Sequence, residues 1–341
     1  MQNKPAIDTL KPYTVRDVEY TIKLDANESP NYLFENGIDF STTPFNLYPD
    51  TNASRLRKTL GEYFDMSEEN LMVGSGSSEL IELIIKTYVA PGEAVLSFDP
   101  SFTMYQVYTT IHGGVYKTVP VEEDMSGSID RLIREAKQTD PKLIILCTPN
   151  NPTGYQFSRE AITKLIRSTD ALILLDEAYM DFAGEGASFL RETPFYDNLI
   201  VSRTFSKAFG LAGARLGYIS AGKPIINTLM KVKTPYNVNA FTQEIGVRAL
   251  KKKRAVHAFI DDCIARRDAL ASTLSDLGLT VFPSRTNFLF VKSDQADLDE
   301  ALLEKGILIR NFASYAPGFF RISVGNQAEN KALISALKEV L

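Results

Sequence analysis

From about residue 70 onward, short apolar runs alternate with amphipathic stretches of helical length. LMV at 71–73 precedes SELIELIIKTYV at 78–89, AVLSF follows at 94–98, KLIILC at 142–147 leads into SREAITKLIRS at 158–168, and ALILLD at 171–176 is followed by NLIVSR at 198–203. Continuously apolar runs of this length suit strands covered on both faces, and the intervening stretches carry a 3.6-residue period. The pattern predicts an α/β fold of βα units around a mostly parallel sheet. Beyond residue 220 the texture changes. IINTLMKVK, FTQEIGVRALKK and AVHAFIDDCIARRDALASTLSDLG read as three helices, the last stopped by Gly278. VFPSRTNFLFVK, LDEALLEKG, ILIRNF, FFRISVG and ALISALKEVL then alternate as strands and helices of a small α/β unit. The Pro- and Asn-rich first 30 residues read as an arm. The expected organisation is an arm over 1–30 that joins the small domain, a large domain over 31–250 and a small domain over 251–341.

Composition narrows the function classes. A chain of 341 residues with 44% hydrophobic content can build a large core in two domains. The balance of 37 basic and 42 acidic residues gives a net charge of −5, and the one basic run, Lys251-Lys252-Lys253-Arg254, reads as a solvated helix start. Nucleic acid is not an expected partner. Two distant cysteines, Cys147 and Cys263, and two histidines, His112 and His257, offer neither a disulfide framework nor a zinc site. The expectation is a reducing, cytoplasmic compartment and no metal. MQNKPAIDTLKPY has no apolar core of the signal-peptide kind, and no apolar stretch approaches a membrane span, so neither is expected.

Four loops stand at the ends of predicted strands, where an open α/β sheet binds its ligand. In VGSGSSEL, 73–80, a strand gives way to glycines and serines at a helix start, an arrangement of N–H groups and hydroxyls that can cradle an anion. It lacks the P-loop lysine and the GxGxxG spacing, and alone it also fits a simple helix cap. CTPNNPTG, 147–154, fixes its backbone with Pro149 and Pro152, so that Asn150 or Asn151 can point an amide into the cleft. ALILLDEAYMDF, 171–182, ends a continuous apolar strand on Asp176. A carboxylate there needs a cation or hydrogen bonds, or else caps the next turn. Tyr179 lies three residues on.

The fourth loop is VSRTFSKAFGLAGARLGYIS, 201–220, with Lys207 and Arg215 eight residues apart. In isolation Lys207 fits a solvent-facing loop residue. Partly desolvated and near other cations, its pKa would fall and its amine would become a nucleophile. Arg215 with Thr204 and Ser206 forms a candidate phosphate site.

Taken in order, GSGSSELI, PSFTMY, TPNNPTG, LILLDEAY and SRTFSKAFGLAGARLG resemble the fold-type-I pyridoxal-phosphate aminotransferases over nearly the whole chain. TLKPY, LDANESP, NLYPD, ILIRNF and FFRISVG make the resemblance closest to the histidinol-phosphate aminotransferase subfamily. The resemblance implies the fold-type-I architecture: a large domain with a mostly parallel seven-stranded sheet flanked by helices, a small α/β C-terminal domain and an N-terminal arm. It implies pyridoxal 5'-phosphate held as a Schiff base on Lys207, with Asp176 paired to the pyridine nitrogen so that the ring remains an electron sink. Tyr179 and Asn151 would hydrogen-bond the 3′-oxygen and Phe102 would stack on the ring, although Phe102 also fits a core aromatic beside Tyr105. Gly76, Ser77, Ser78, Thr204, Ser206 and Arg215 would surround the phosphate. Ser78 departs from the family pattern, in which an acidic or amide side chain is frequent. Tyr48 would reach the phosphate from the partner subunit of a homodimer. Released by the substrate amine, Lys207 would be the general base that moves the proton from Cα to C4′.

For the substrate, Arg310 and Arg321 are eleven residues apart on two short predicted strands, where they could also be ordinary exposed arginines. The resemblance assigns Arg321 to a substrate carboxylate, and Arg310 adds a second fork suited to a phosphate. Tyr13 and Asn27 match arm residues that close over the substrate. The implied reaction converts L-histidinol phosphate to imidazole acetol phosphate and 2-oxoglutarate to glutamate. An aromatic amino acid aminotransferase and a threonine-phosphate decarboxylase share these motifs. A regulator that binds the cofactor without turnover would need a DNA-binding domain, for which an arm of about 30 residues leaves no room.

Overall fold

The structure is a computed structural model that describes residues 5–10, 12, 16–44 and 46–341. In chain order its strands and helices are β1 (Ile22–Leu24), α1 (Ser54–Phe64), β2 (Leu71–Gly74), α2 (Gly76–Tyr88), β3 (Ala94–Asp99), α3 (Met104–Ile111), β4 (Val115–Pro120) and α4 (Ile129–Thr139). There follow β5 (Leu143–Cys147), α5 (Arg159–Arg167), β6 (Leu172–Asp176), β7 (Leu199–Thr204), β8 (Gly217–Ala221), α6 (Lys223–Val232), α7 (Ala240–Leu250) and α8 (Lys253–Asp276). The chain ends with β9 (Thr280–Val281), β10 (Phe288–Lys292), α9 (Leu298–Glu304), β11 (Ile307–Asn311), β12 (Phe319–Ser323) and α10 (Gln327–Val340).

Seven strands form one sheet in the order β2-β8-β7-β6-β5-β3-β4. Its centre is parallel, and β8 alone runs antiparallel to both its neighbours. The central strands are apolar because both faces are covered. Ile144, Ile173 and Val201 pack into the core on one face, while Ile145, Leu174 and Ile200 pack on the other. Each such side chain contributes about 1.5–3 kcal/mol through its burial. The flanking helices turn their apolar stripes to these cores, as α4 does with Leu132, Ile133 and Ala136. Their starts are fixed locally: Ser128 caps α4, Ser158 caps α5 and Asn239 caps α7, each by accepting a backbone N–H.

The second sheet has the order β1-β11-β12-β10-β9. Leu289, Ile307, Ile309, Phe320 and Ile322 pack there with Leu270 and Leu274 of α8 and Leu333 and Leu337 of α10. The strand from the N-terminal arm pairs parallel with β11, Ile22 opposite Ile307 and Leu24 opposite Ile309, which brings residues 25–28 to the cleft between the sheets. The Lys251–Arg254 run occupies the solvent-facing junction of α7 and α8, and α8 is followed by Gly278 at φ 91°. Among the described residues, no helix is long and apolar enough to cross a membrane.

Candidate active site

Strand ends converge at one edge of the seven-stranded sheet. Cys147 pairs with Asp176 and Asp176 with Ser202, while Gly217, where β8 starts, pairs with both Gly74 and Thr204. Backbone register alone therefore brings together the loops that follow β2, β5, β6 and β7.

The candidate anion cradle lies where β2 turns into α2. Gly76 adopts φ 81°, and a Cβ there would stand 2.6 Å from Arg215 Nη2, so only glycine allows the guanidinium this close. Gly217 is equally constrained, since its Cβ would meet Ser77 N at 2.3 Å. Arg215 itself lies in the left-handed region at φ 49°, and its Nη1 donates to Ser206 Oγ at 3.5 Å and to Ala212 O at 3.3 Å. Thr204 Oγ1 accepts from Ser206 N at 3.1 Å. Ser77 and Ser78 follow in the first turn of α2, and Ser78 bonds the hydroxyl of Tyr108. Gly76, Ser77, Ser78, Thr204, Ser206 and Arg215 thus gather at the N-terminus of α2.

Asp176 is 4% exposed. Its Oδ2 accepts from Tyr105 Oη at 2.6 Å and its Oδ1 from Ala178 N at 3.3 Å. Burial pushes its pKa up, opposed by these two donors and by the charge of Lys207. The turn-capping reading of Asp176 is therefore realised in part, but the principal donor is a tyrosine 71 positions away. Phe102 stands beside this pair, edge to face with Tyr105 at 5.5 Å.

The Lys207 amine donates to Ala26 O at 3.0 Å and Asn27 O at 3.2 Å. Its pKa is lowered to about 7, chiefly by burial and then by Arg321, with Arg215 and Lys23 adding to the effect and Glu28 opposing it. That places the amine near its neutral, nucleophilic form at physiological pH. Asn27 ties the arm to this centre. At φ 55° it donates from Nδ2 to Tyr179 Oη at 3.0 Å and from its backbone N to Ser323 Oγ at 2.9 Å, while its carbonyl also accepts from Asn287 Nδ2 at 3.1 Å. Tyr179 is buried, packs edge-on against Phe288 at 5.1 Å, and has its pKa pushed up to about 12 by burial.

Arg321 closes the other side. It donates to Asn151 Oδ1 at 2.5 Å and to Asp25 O at 2.6 Å, and lies 5.4 Å from the Phe288 ring and 5.6 Å from that of Phe312. Of the two candidate asparagines, Asn151 is the one that meets Arg321. Asn150 is buried in its own turn, bonded to Pro100 O, Thr153 Oγ1 and Ser101 Oγ. Arg310 is directly across the ladder from Arg321, partly exposed. Two like charges in register cost stability unless an anion joins them.

Two expected residues stand outside this ensemble. Tyr13 lies outside the described residues. Tyr48, expected to act at the partner subunit's phosphate, is 80% exposed and stacks on Tyr236 at 4.5 Å. Further residues without a site role in the sequence reading also line the site: Tyr105, there only a core neighbour of Phe102, together with Asn287, Ser323 and the arm cluster in which Lys23 bridges Asp25 at 3.0 Å and Glu28 at 2.5 Å. For Tyr105 the available clue was its position three residues after Phe102, next to it on the same turn of chain.

The family model for aminotransferase class I and II matches residues 21–337. The histidinol-phosphate aminotransferase of Thermoanaerobacter pseudethanolicus is 39% identical, over 98% of this chain and 97% of its own. That of Clostridium novyi is 36% identical, over 97% of this chain and 95% of its own. Among solved structures, histidinol-phosphate aminotransferase from Sinorhizobium meliloti in complex with pyridoxal-5'-phosphate is similar with a TM-score of 0.89 at 25% identity, covering 99% of this chain and 97% of that one. The chain belongs to the aminotransferase class I and II family and, within it, to the histidinol-phosphate aminotransferases.

Proposed function

We propose that this protein transfers the amino group of L-histidinol phosphate to 2-oxoglutarate, giving imidazole acetol phosphate and glutamate in histidine biosynthesis, with pyridoxal 5'-phosphate as cofactor. The observation that carries the reading is the placement of Lys207: a lysine with a pKa of about 7 between a buried carboxylate, Asp176, and two arginines, Arg215 and Arg321.

The residues present fit the cofactor. The cluster of Gly76, Ser77, Ser78, Thr204, Ser206 and Arg215 has N–H groups, hydroxyls and one guanidinium for a phosphate, and the Cβ-free surface of Gly76 that such a group needs. Buried Asp176 suits a protonated ring nitrogen. Tyr179 and Asn151 would offer hydrogen bonds to its phenolic oxygen, Phe102 a ring face, and Lys207 the amine for covalent attachment. When bound, pyridoxal phosphate supplies the electron sink that stabilises negative charge at the substrate Cα.

The chain's own groups do the rest. Lys207, whose lowered pKa of about 7 leaves a large share of its amine unprotonated at physiological pH, would be the base that takes the proton from the substrate Cα and delivers it to C4′. Ala26 O and Asn27 O hold its amine when it is unattached. Arg321 binds the carboxylate of 2-oxoglutarate or glutamate, and Arg310 beside it adds the second fork that a phosphate monoester needs. Asn27, tied to Tyr179 and Ser323, holds the arm against the substrate side of the cleft. We take 1–30 as the arm, 31–250 as the large domain and 251–341 as the small one, working as a cytoplasmic homodimer in which Tyr48 completes the partner's phosphate site. The exposure of the stacked Tyr48–Tyr236 pair supports this assembly.

The test is one half-reaction. Cofactor-loaded protein is mixed with L-histidinol phosphate, or with phenylalanine, without a keto acid, and the visible absorbance is followed. Fast bleaching by the phosphate ester at low concentration, with phenylalanine slow, is expected. Bleaching by phenylalanine alone would move the protein to the aromatic aminotransferases.

A further inference from the structure

We propose that Arg203 is a positioning residue of the cofactor cleft, clamping the strand end that carries Thr204 and Lys207 to the turn that carries Asp176 and Tyr179. The inference rests on the reading of the cleft as a pyridoxal-phosphate site.

Beyond Asp176 and Thr204 the ladder between β6 and β7 has ended, Glu177 N to Ser202 O at 2.9 Å being its last bond. Asp176 itself closes that ladder, paired with Ser202, while Thr204 and Lys207 on one side and Tyr179 on the other lie past the β6–β7 pairing that could fix their separation. Side chains alternate along a strand, so Arg203 points away from the cleft face used by Thr204, towards its ladder partner Tyr218 in the core beneath. From there its guanidinium spans the gap. Nη1 donates to Glu177 Oε2 at 3.2 Å and to Ser188 Oγ at 3.4 Å, while Nη2 donates to Asp181 Oδ1 at 2.5 Å. Glu177 is thus gripped one residue after Asp176, and Asp181 two residues after Tyr179.

The cluster is buried and built. Side-chain exposures are 6% for Arg203, 0% for Glu177 and 18% for Asp181. Glu177 accepts two further hydrogen bonds, from Ser188 Oγ at 2.5 Å and Phe189 N at 2.8 Å. Tyr32 borders the same group through Asp181 and donates to Ala208 O at 2.6 Å, immediately after Lys207. One cation among two carboxylates in the interior is an expensive way to gain stability, since well-packed apolar side chains achieve as much. What the fork supplies, and apolar packing does not, is a fixed distance and angle between two chain segments.

The test uses Asp181→Asn, which removes one prong with little change in volume, and Arg203→Lys, which keeps the charge and loses the fork. The unmodified protein must first bind pyridoxal phosphate; if it does not, the cleft reading fails before the clamp is tested. In folded variants, we expect cofactor affinity to fall about tenfold or more and the pH midpoint of the bound cofactor's visible absorbance to move by roughly half a unit or more. The double variant is expected to be little worse than either single one, because both break the same clamp. Variants that only melt earlier, with affinity and midpoint unchanged, would make the cluster structural and overturn the proposal. Should Arg203→Lys fail to fold, Asp181→Asn decides alone, its side chain being partly open to solvent.

Discussion

Tyr105 donates its hydroxyl to Asp176 Oδ2 across 2.6 Å, and both groups are buried. Burial drives the carboxyl towards its neutral form, and this hydrogen bond is the strongest contact opposing it. Tyr105→Phe should therefore raise the pKa of Asp176 and weaken its hold on a ring nitrogen. A hydrogen bond to a charged group is worth about 1.5–3 kcal/mol, so cofactor affinity should fall by roughly tenfold to a hundredfold. Equilibrium titration with pyridoxal phosphate checks this, and an unchanged affinity would show that Ala178 N suffices.

Lys207 makes a prediction about stability as well as activity. Its pKa falls from 10.5 to about 7 on folding. Between those values the unfolded chain binds a proton that the folded chain does not, so stability rises with pH across this window. Below it, the folded protein carries the full penalty of a desolvated ammonium. Cofactor-free Lys207→Ala should thus melt roughly 2–4 °C above the parent at pH 7, with the difference shrinking towards pH 10. It should have lost transamination altogether; residual turnover in the loaded variant would sink the assignment of Lys207.

Much of this was legible in the sequence, for identifiable reasons. The central strands announce themselves because burial on both faces demands unbroken apolar runs, and the site loops follow because an α/β sheet places ligands at strand ends. The reversed direction of β8 was not read, although a clue existed. Only residues 205–216 separate β7 from β8, the bare minimum for a crossover, and Gly210 and Gly213 among them break up the helix that a parallel neighbour would need. Edge strand β4 was invisible because most of its residues are not fully buried and the apolar run is missing. Arg203 and Glu177 carry no local signal, because their pairing is a tertiary contact spanning 26 positions, which no local period reports.

Arg310 stands in register with Arg321, and the repulsion between them makes Arg310 costly unless an anion bridges the pair. Arg310→Ala should leave the melting temperature unchanged or slightly raised. Its KM for histidinol phosphate should rise about tenfold or more, as expected for the loss of a charge-assisted contact to phosphate. Phenylalanine, which lacks the phosphate, should be affected far less. Steady-state kinetics on both donors decide the matter, and equal effects would return Arg310 to an ordinary surface role.

Substitution of Gly76 tests the proposed phosphate recognition separately from ring recognition. An alanine there would strain the backbone at φ 81° and put its Cβ within 2.6 Å of Arg215 Nη2, displacing the guanidinium from the cradle. The hydrogen bonds of Asp176, Tyr179 and Lys207 involve neither Gly76 nor Arg215. Gly76→Ala should therefore weaken pyridoxal phosphate by about tenfold or more while leaving the much weaker binding of unphosphorylated pyridoxal almost unchanged. Both affinities are readable from the visible absorbance on titration into cofactor-free protein. A parallel loss for the two ligands would mean that the substitution disturbs the whole cleft and that the α2 start is not the phosphate site.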